Sequence, residues 1–160
     1  MATLSYSDLQ TRIANLSSED AYLVGLFDGE GSISVLLDEY AGRNQSYVCC
    51  RLGMADRRPV ALLQKRFGGK VILDVRPTPH LTLFVWYAYG SHARSLLAIL
   101  QQHSLIKHEQ AAIAIRAIEL LEASKARRKK PRIGTGCIPP DELLERRSLT
   151  QRVKALNRAS

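Results

Sequence analysis

The four residues Asp28-Gly29-Glu30-Gly31 close an apolar helical run that begins at Tyr22, and the chain after them reads as a strand. Two carboxylates interleaved with two glycines are an unusual way to end a greasy helix. Gly25 and Gly29 stand four residues apart, hence on one helix face. Glycine in a helix interior costs about 1 kcal/mol relative to alanine. Such a pair is explained if another backbone must come close at that face. The pattern suits a junction of two helices, with carboxylates gathered at its end. Neighbouring carboxylates repel, and a divalent cation held between them removes the repulsion.

Other chemistries fit the sequence less well. His80, His92, His103 and His108 show no zinc-ligand spacing with Cys49, Cys50 or Cys137. The stretches "GRNQ" and "FGGKV" are turns, and no glycine-rich loop cradles a phosphate. Nothing points to a Ser-His-Asp constellation. The chain of 160 residues carries 23 Lys and Arg against 15 Asp and Glu, a net charge of +8. That balance favours a polyanionic partner, of which nucleic acid is the commonest. Three cysteines, two of them adjacent, argue against a disulfide framework and for a reduced, intracellular setting. The N-terminus lacks the apolar core of a signal peptide, and no stretch reaches the length of a membrane span. The expected location is therefore the cytoplasm or an organelle such as a chloroplast or mitochondrion, with no membrane partner.

The elements that must position the acids follow from periodicity and punctuation. "SDLQTRIANL" has helical spacing at Leu9, Ile13 and Leu16. Ser17 or Ser18 can cap the next helix, over about Glu19 to Asp28. "SISVLLDEY" and "SYVCCRLGM" alternate across "AGRNQ" and predict an antiparallel hairpin. "DRRPVALLQKRFGG" predicts a helix with Pro59 in its first turn and Gly68-Gly69 as its stop. "KVILDV" and "TLFVWYAY" predict a second hairpin. "SHARSLLAILQQHS", with Ser91 as cap, and "KHEQAAIAIRAIELLEAS" predict two further helices. The class is α+β. The basic, Pro- and Gly-broken "KARRKKPRIGTG" reads as a linker to a last helix bearing Leu143, Leu144, Val153 and Leu156. The expected division is a core over residues 1–126, with its N-terminal helix, and a basic linker plus C-terminal helix over 127–160.

Residues 23–31, Leu-Val-Gly-Leu-Phe-Asp-Gly-Glu-Gly, resemble the nine-residue signature of the LAGLIDADG homing endonucleases. Val24, Gly29 and Glu30 replace Ala, Ala and Asp of the signature, as associated with the family. The element order is similar to the family's αββαββα core, whose antiparallel sheet forms a DNA-binding saddle. "LIKHEQAAIAI" resembles its closing L-x-K-x-x-Q-A segment. Together the likeness covers about residues 18–122, with a C-terminal helical extension beyond it.

The resemblance implies a metal-dependent DNA endonuclease that makes a double-strand break in a long, pseudo-palindromic target. Such proteins are usually encoded within introns or inteins. Only one motif is present, so the chain would act as a homodimer. Its motif helices would pack through Leu23, Gly25, Leu26 and Gly29. Glu30, the last acid of the motif, would bind the catalytic Mg²⁺ (or Mn²⁺ or Ca²⁺), together with Gly29, while Asp28 shapes the junction. Lys107 aligns with a basic residue beside the attacking water. Asp56 matches a polar position that opens the second helix, although Asp there is also simply a good N-cap. Arg57 and Arg58 would lie near the scissile phosphate.

A two-stranded ribbon fits the major groove, and two subunits would cover roughly 20 base pairs. Strand alternation sends Ser32, Ser34, Leu36 and Asp38 to one face. Tyr47, Cys49 and Arg51 follow on the second strand, and Lys70, Ile72, Asp74 and Arg76 on the third. These sets would face double-stranded DNA. Arg43, Asn44, Gln45 and His80 at the hairpin tips would reach outer bases and phosphates. On the fourth strand both faces are apolar, and Trp86 is expected inward. The basic run Lys125 to Lys130 would touch phosphate. Two other readings on the same scaffold stay open: an RNA maturase with host intron RNA as partner, and a non-cleaving DNA-binding regulator.

Overall fold

The computed structural model describes residues 10, 11, 14, 16–38, 45–75, 77, 82–127 and 138–159. The N-terminal helix expected around Leu9 and Ile13 falls outside them.

Helix α1 spans Ser18–Glu30 and is capped by Ser17, whose hydroxyl accepts the Asp20 N–H. It runs two residues further than the sequence pattern predicts, so both acids belong to its last turn. Strand β1 follows without a loop (Gly31–Asp38) and pairs antiparallel with β2 (Gln45–Met54). Helix α2 (Arg57–Phe67) starts at the Asp56 cap and stops at Gly68, whose φ of 72° suits glycine. Strands β3 (Lys70–Asp74) and β4 (Leu83–Tyr89) form the second hairpin. A 3-10 turn over Gly90–Ala93 leads into α3 (Arg94–His103). Ser91 therefore does not cap that helix; it lies inside the tight turn that precedes it. Helices α4 (His108–Arg127) and α5 (Pro140–Ala159) complete the chain. Among the described residues no helix is long and apolar enough to cross a membrane.

The two hairpins join through β2 and β4 into one antiparallel sheet of order β1-β2-β4-β3. One face is buried under the helices, because alternate residues along each strand point the same way. Ile33, Val48, Cys50, Leu52 and Trp86 are fully buried there, against Leu23 and Phe27 of α1. Trp86 points inward as expected, meets Phe27 edge-on at 6.4 Å, and donates its indole N–H to the Gly68 carbonyl at 2.7 Å. A fully buried tryptophan needs such a partner for its one polar atom. Arg66 holds Asp20 at 3.0 Å, tying the start of α1 to the end of α2 and pulling the Asp20 carboxyl below its usual pKa.

The C-terminal helix contributes Leu149 and Val153 to the same core. Leu143 is only part-buried, and Leu144 is 63% exposed. Strand β1 would otherwise be a bare sheet edge with unpaired carbonyls. Asn157 of α5 donates its amide N–H to the Ile33 carbonyl at 2.9 Å, and Arg146 donates to the Ser46 hydroxyl at 3.2 Å. Arg146 in turn is held by the buried Glu142, which Arg127 also meets.

Candidate functional site

The two acids at the end of α1 have different surroundings. Asp28 is part-buried and fully engaged. One carboxylate oxygen accepts the Ser104 hydroxyl at 2.5 Å, and the other accepts the Leu105 backbone N–H at 3.0 Å. The Ser104 oxygen accepts the Lys107 N–H at 2.7 Å, which fixes the turn between α3 and α4. The Lys107 ammonium then donates to the Asp28 backbone carbonyl at 2.6 Å. Lys107 is only 8% exposed, so its charge is held in place. Glu30, by contrast, is exposed, and no hydrogen bond or ion pair among the described residues engages its carboxylate.

Asp28 and Lys107 border a cleft of about 430 Å³. Asp28 and Gly29 line it from α1, Gly31 and Ser32 from β1, Lys107 and Gln110 from α4 and its approach, and Asn157 from α5. Glu30 sits between two of the lining glycines. Gly31 is demanded by the fold: a Cβ there would lie 2.5 Å from the Phe27 ring and 2.6 Å from its carbonyl oxygen. Asp56 is not part of this cleft. It caps α2 through the Arg58 N–H at 2.8 Å, and its carboxylate forks onto the Arg58 guanidinium at 2.5–3.1 Å. Arg58 thereby pulls the Asp56 carboxyl down to about 2. Arg57 is exposed beside it.

Helix α1 shows one open stripe. Tyr22 is 49% exposed, Gly25 and Gly29 are exposed, and Leu26 is part-buried. A Cβ on either glycine would meet nothing within 4 Å. Leu23, expected on this stripe, is instead completely buried. Its helical position places it with Phe27, four residues on, in the chain's own core.

The outward face of the sheet carries a continuous row fixed by register. Ser34 lies opposite Cys49, and Cys49 opposite Tyr89. Ser32 lies opposite Arg51, Arg51 opposite Tyr87, and Tyr87 opposite Lys70. Ser32, Ser34 and Leu36 are half-buried, whereas Asp38, Gln45, Tyr47, Lys70 and Ile72 are exposed. Arg51 is held by the Tyr87 hydroxyl at 3.2 Å and by Asp74 at 3.8 Å. Tyr87 and Tyr89 stack with ring centres 6.1 Å apart. Cys49, expected to face a ligand, corrects to a covered position at 8% exposure. Its Sγ turns back toward the Cys50 carbonyl, and burial pushes its thiol pKa up against a hydrogen bond from Tyr89.

This architecture is shared with solved structures. No family model matches the chain, and no curated protein matches it by sequence. The homing endonuclease I-CvuI, in complex with the I-CreI target and 2 mM Mg, superposes with a TM-score of 0.63 at 19% identity, over 95% of this chain and 85% of its own. The archaeal intron-encoded homing endonuclease I-Vdi141I, complexed with DNA, gives 0.64 at 13% identity, over 86% and 83%. I-SmaMI, bound to uncleaved DNA with calcium ions, gives 0.62 at 17% identity, over 91% of this chain but 49% of its own. The chain has the LAGLIDADG homing endonuclease fold.

Within the LAGLIDADG fold, the structure brings Gly29 and Lys107 to one cleft, with Glu30 adjoining Gly29 in sequence but not among the lining residues, and leaves Asp56 as a helix cap. Arg43, Asn44, Arg76, His80 and residues 128–130 of the basic run lie outside the described residues. Sequence reasoning missed Ser104, Asn157, Tyr22, Tyr87 and Tyr89. For Tyr87 and Tyr89 the only signal was a strand apolar on both faces. Ser104 and Asn157 carry no local signal, since their partners lie 76 and 124 residues away. Gln110 stood in the quoted closing segment but was given no role.

Proposed function

We propose that this protein is a site-specific DNA endonuclease of the homing type. It works as a homodimer and hydrolyses both strands of a long, pseudo-palindromic duplex. The carrying observation is the division of labour at the end of α1. One acid, Asp28, is spent on clamping the loop that holds Lys107, while the other, Glu30, is left unengaged. An exposed carboxylate that no described residue engages is available to a metal and a phosphate.

Glu30 and the Gly29 carbonyl are the groups that would hold a divalent cation, Mg²⁺ or a substitute such as Mn²⁺ or Ca²⁺. Among the described residues no three metal-ligating side chains cluster. One chain thus offers half a ligand set, and the fit needs the Glu30 of a second copy and phosphate oxygens. When bound, such a cation supplies an activated water and neutralises the charge of the phosphorane. Lys107, anchored at 2.6 Å by the Asp28 carbonyl, keeps further N–H donors for that water or a phosphate oxygen.

The dimer reading is supported by the glycines. Gly25 and Gly29 cost the helix stability, yet none of the described residues needs their small size. A second α1 laid against the stripe would need it. This chain corresponds to most of the I-CvuI chain but about half of I-SmaMI, as one of two units would. The outward face, from Ser32 to Lys70, then lies along the major groove. Neighbours solved with duplex targets and Mg or Ca support the same partner and ion.

The test is Glu30→Gln on purified protein, with plasmids carrying the rejoined junction of the DNA that flanks the reading frame. Cleavage should vanish with or without Mg²⁺, while duplex affinity stays close to wild type, because binding comes from phosphates and bases along the whole face. Undiminished cleavage by the variant would remove Glu30 from the chemistry.

A further inference from the structure

Contacts on two sides fix how α5 is turned. Glu145 faces α4, pairing with Arg116 at 2.9 Å. Arg146 and Asn157 face the sheet edge, reaching Ser46 and the Ile33 carbonyl. Each residue advances about 100° around a helix. Arg147, Lys154 and Arg158 therefore share the flank beyond the β1 edge, and all three are exposed. The helix's three acids avoid this flank: Glu142 is buried, Glu145 is turned to α4, and the exposed Asp141 falls by helical rotation on the same side as Glu145. Among the described residues no acid pairs with Lys154 or Arg158. The helix also has a direction. Ser46 pairs with Leu37 near the outer end of the first hairpin, whereas Ile33 lies two residues from the cleft glycine Gly31. So α5 runs beside β1 from the hairpin's outer end to the cleft.

We propose that this flank of α5 is a rail for the phosphate backbone of duplex DNA, continuing the outward face of the sheet past its β1 edge. The inference rests on the DNA-binding reading above. From Arg147 to Arg158 the flank extends about 16 Å. Duplex DNA carries one charge per ~1.7 Å of axis, so several phosphates fall within that length. Contacts of this kind add affinity and set register without reading sequence. They also place a basic flank next to the cleft, where Asn157 already joins α5 to the site.

The experiment compares wild type, Lys154→Ala/Arg158→Ala and Arg152→Ala. Arg152 is exposed on the α4 side of the same helix and serves as the control. Affinity for a duplex of roughly 30 base pairs, longer than the expected interface, is followed by anisotropy against salt, without divalent metal. In the homodimer the double variant removes two cations from each subunit, and should lower the slope of log K against log[salt] by about 4, one phosphate per cation. Arg152→Ala should leave the slope unchanged. Equal slopes for all three proteins would overturn the rail, and so would an equal loss from Arg152→Ala, which would mean bulk charge only. A loss seen on duplex RNA of the same sequence but not on DNA would assign the flank to RNA and overturn it too. A wild type that binds no duplex DNA would sink the functional reading along with the rail.

Discussion

At the residue scale, the site is a matter of which groups are tied and which are loose. Lys107 is tied: the Ser104 hydroxyl fixes its backbone and the Asp28 carbonyl fixes its ammonium. A charge held in place costs little reorganisation when the reaction needs it. Replacing it by methionine keeps the buried stem and removes the charge together with its bond to the Asp28 carbonyl. Lys107→Met should slow single-turnover cleavage by about 100-fold or more, the cost of removing one preorganised donor. Duplex affinity should hardly change, since one lysine beside a water contributes more to the transition state than to the ground state. An unaltered single-turnover rate would take Lys107 out of the chemistry. The motif and the closing segment single out Glu30 and Lys107 in the sequence as candidates. The clamp that joins them was not, because Asp28 and Ser104 meet only after two hairpins and three helices have folded. Asp56 illustrates the opposite error of reach. A polar residue at a helix start satisfies a family pattern and a cap equally well, and its bonds to Arg58 decide for the cap.

At the element scale, α1 carries two kinds of glycine with opposite tests. Gly31 is required by its own chain. Gly31→Ala would drive a methyl into the Phe27 ring and backbone, and should cost on the order of 2 kcal/mol of stability, as overpacking does. Thermal unfolding reads this directly, and a midpoint equal to wild type would contradict the close approach. Gly25 is required by none of the described residues of its own chain. Gly25→Leu should therefore leave the monomer folded while abolishing the dimer and its cleavage, which sedimentation and plasmid cutting report together. A Gly25→Leu protein that stays dimeric and active would put the interface elsewhere. Most of the elements themselves were legible, because strand alternation and the Gly68-Gly69 stop are local signals. Ser91 misled because a serine before an apolar run also suits a 3-10 turn. The place of α5 was hidden because its anchors on β1 and β2 lie 124 and 100 residues away. Leu23 was misplaced because a helix apolar all round does not announce which side is the core.

At the scale of the whole molecule, the question is whether one chain can do the chemistry alone. The unengaged Glu30, the open glycine stripe and the absence of a three-ligand cluster among the described residues all point the same way. If two α1 helices meet on a two-fold axis, each residue of the stripe meets its own counterpart or a near neighbour. The two Glu30 carboxylates then come together at that axis. Mixing experiments separate this arrangement from two independent subunits. Wild-type protein and Glu30→Gln protein, unfolded together and refolded in equal amounts, should form homodimers and heterodimers at random. If every double-strand cut needs both carboxylates, activity per total protein should fall to about a quarter of wild type, the share of wild-type homodimers in a two-fold assembly. If each subunit cuts one strand by itself, strand scissions counted as nicks plus double cuts should instead track the wild-type fraction and fall to about half, with heterodimers leaving nicked circles. The same mixture should bind duplex DNA as tightly as either parent, because the outward faces are untouched. A result near half, with full binding, would place a complete active site inside one chain, and the unengaged Glu30 would then need a ligand set that the described residues do not supply.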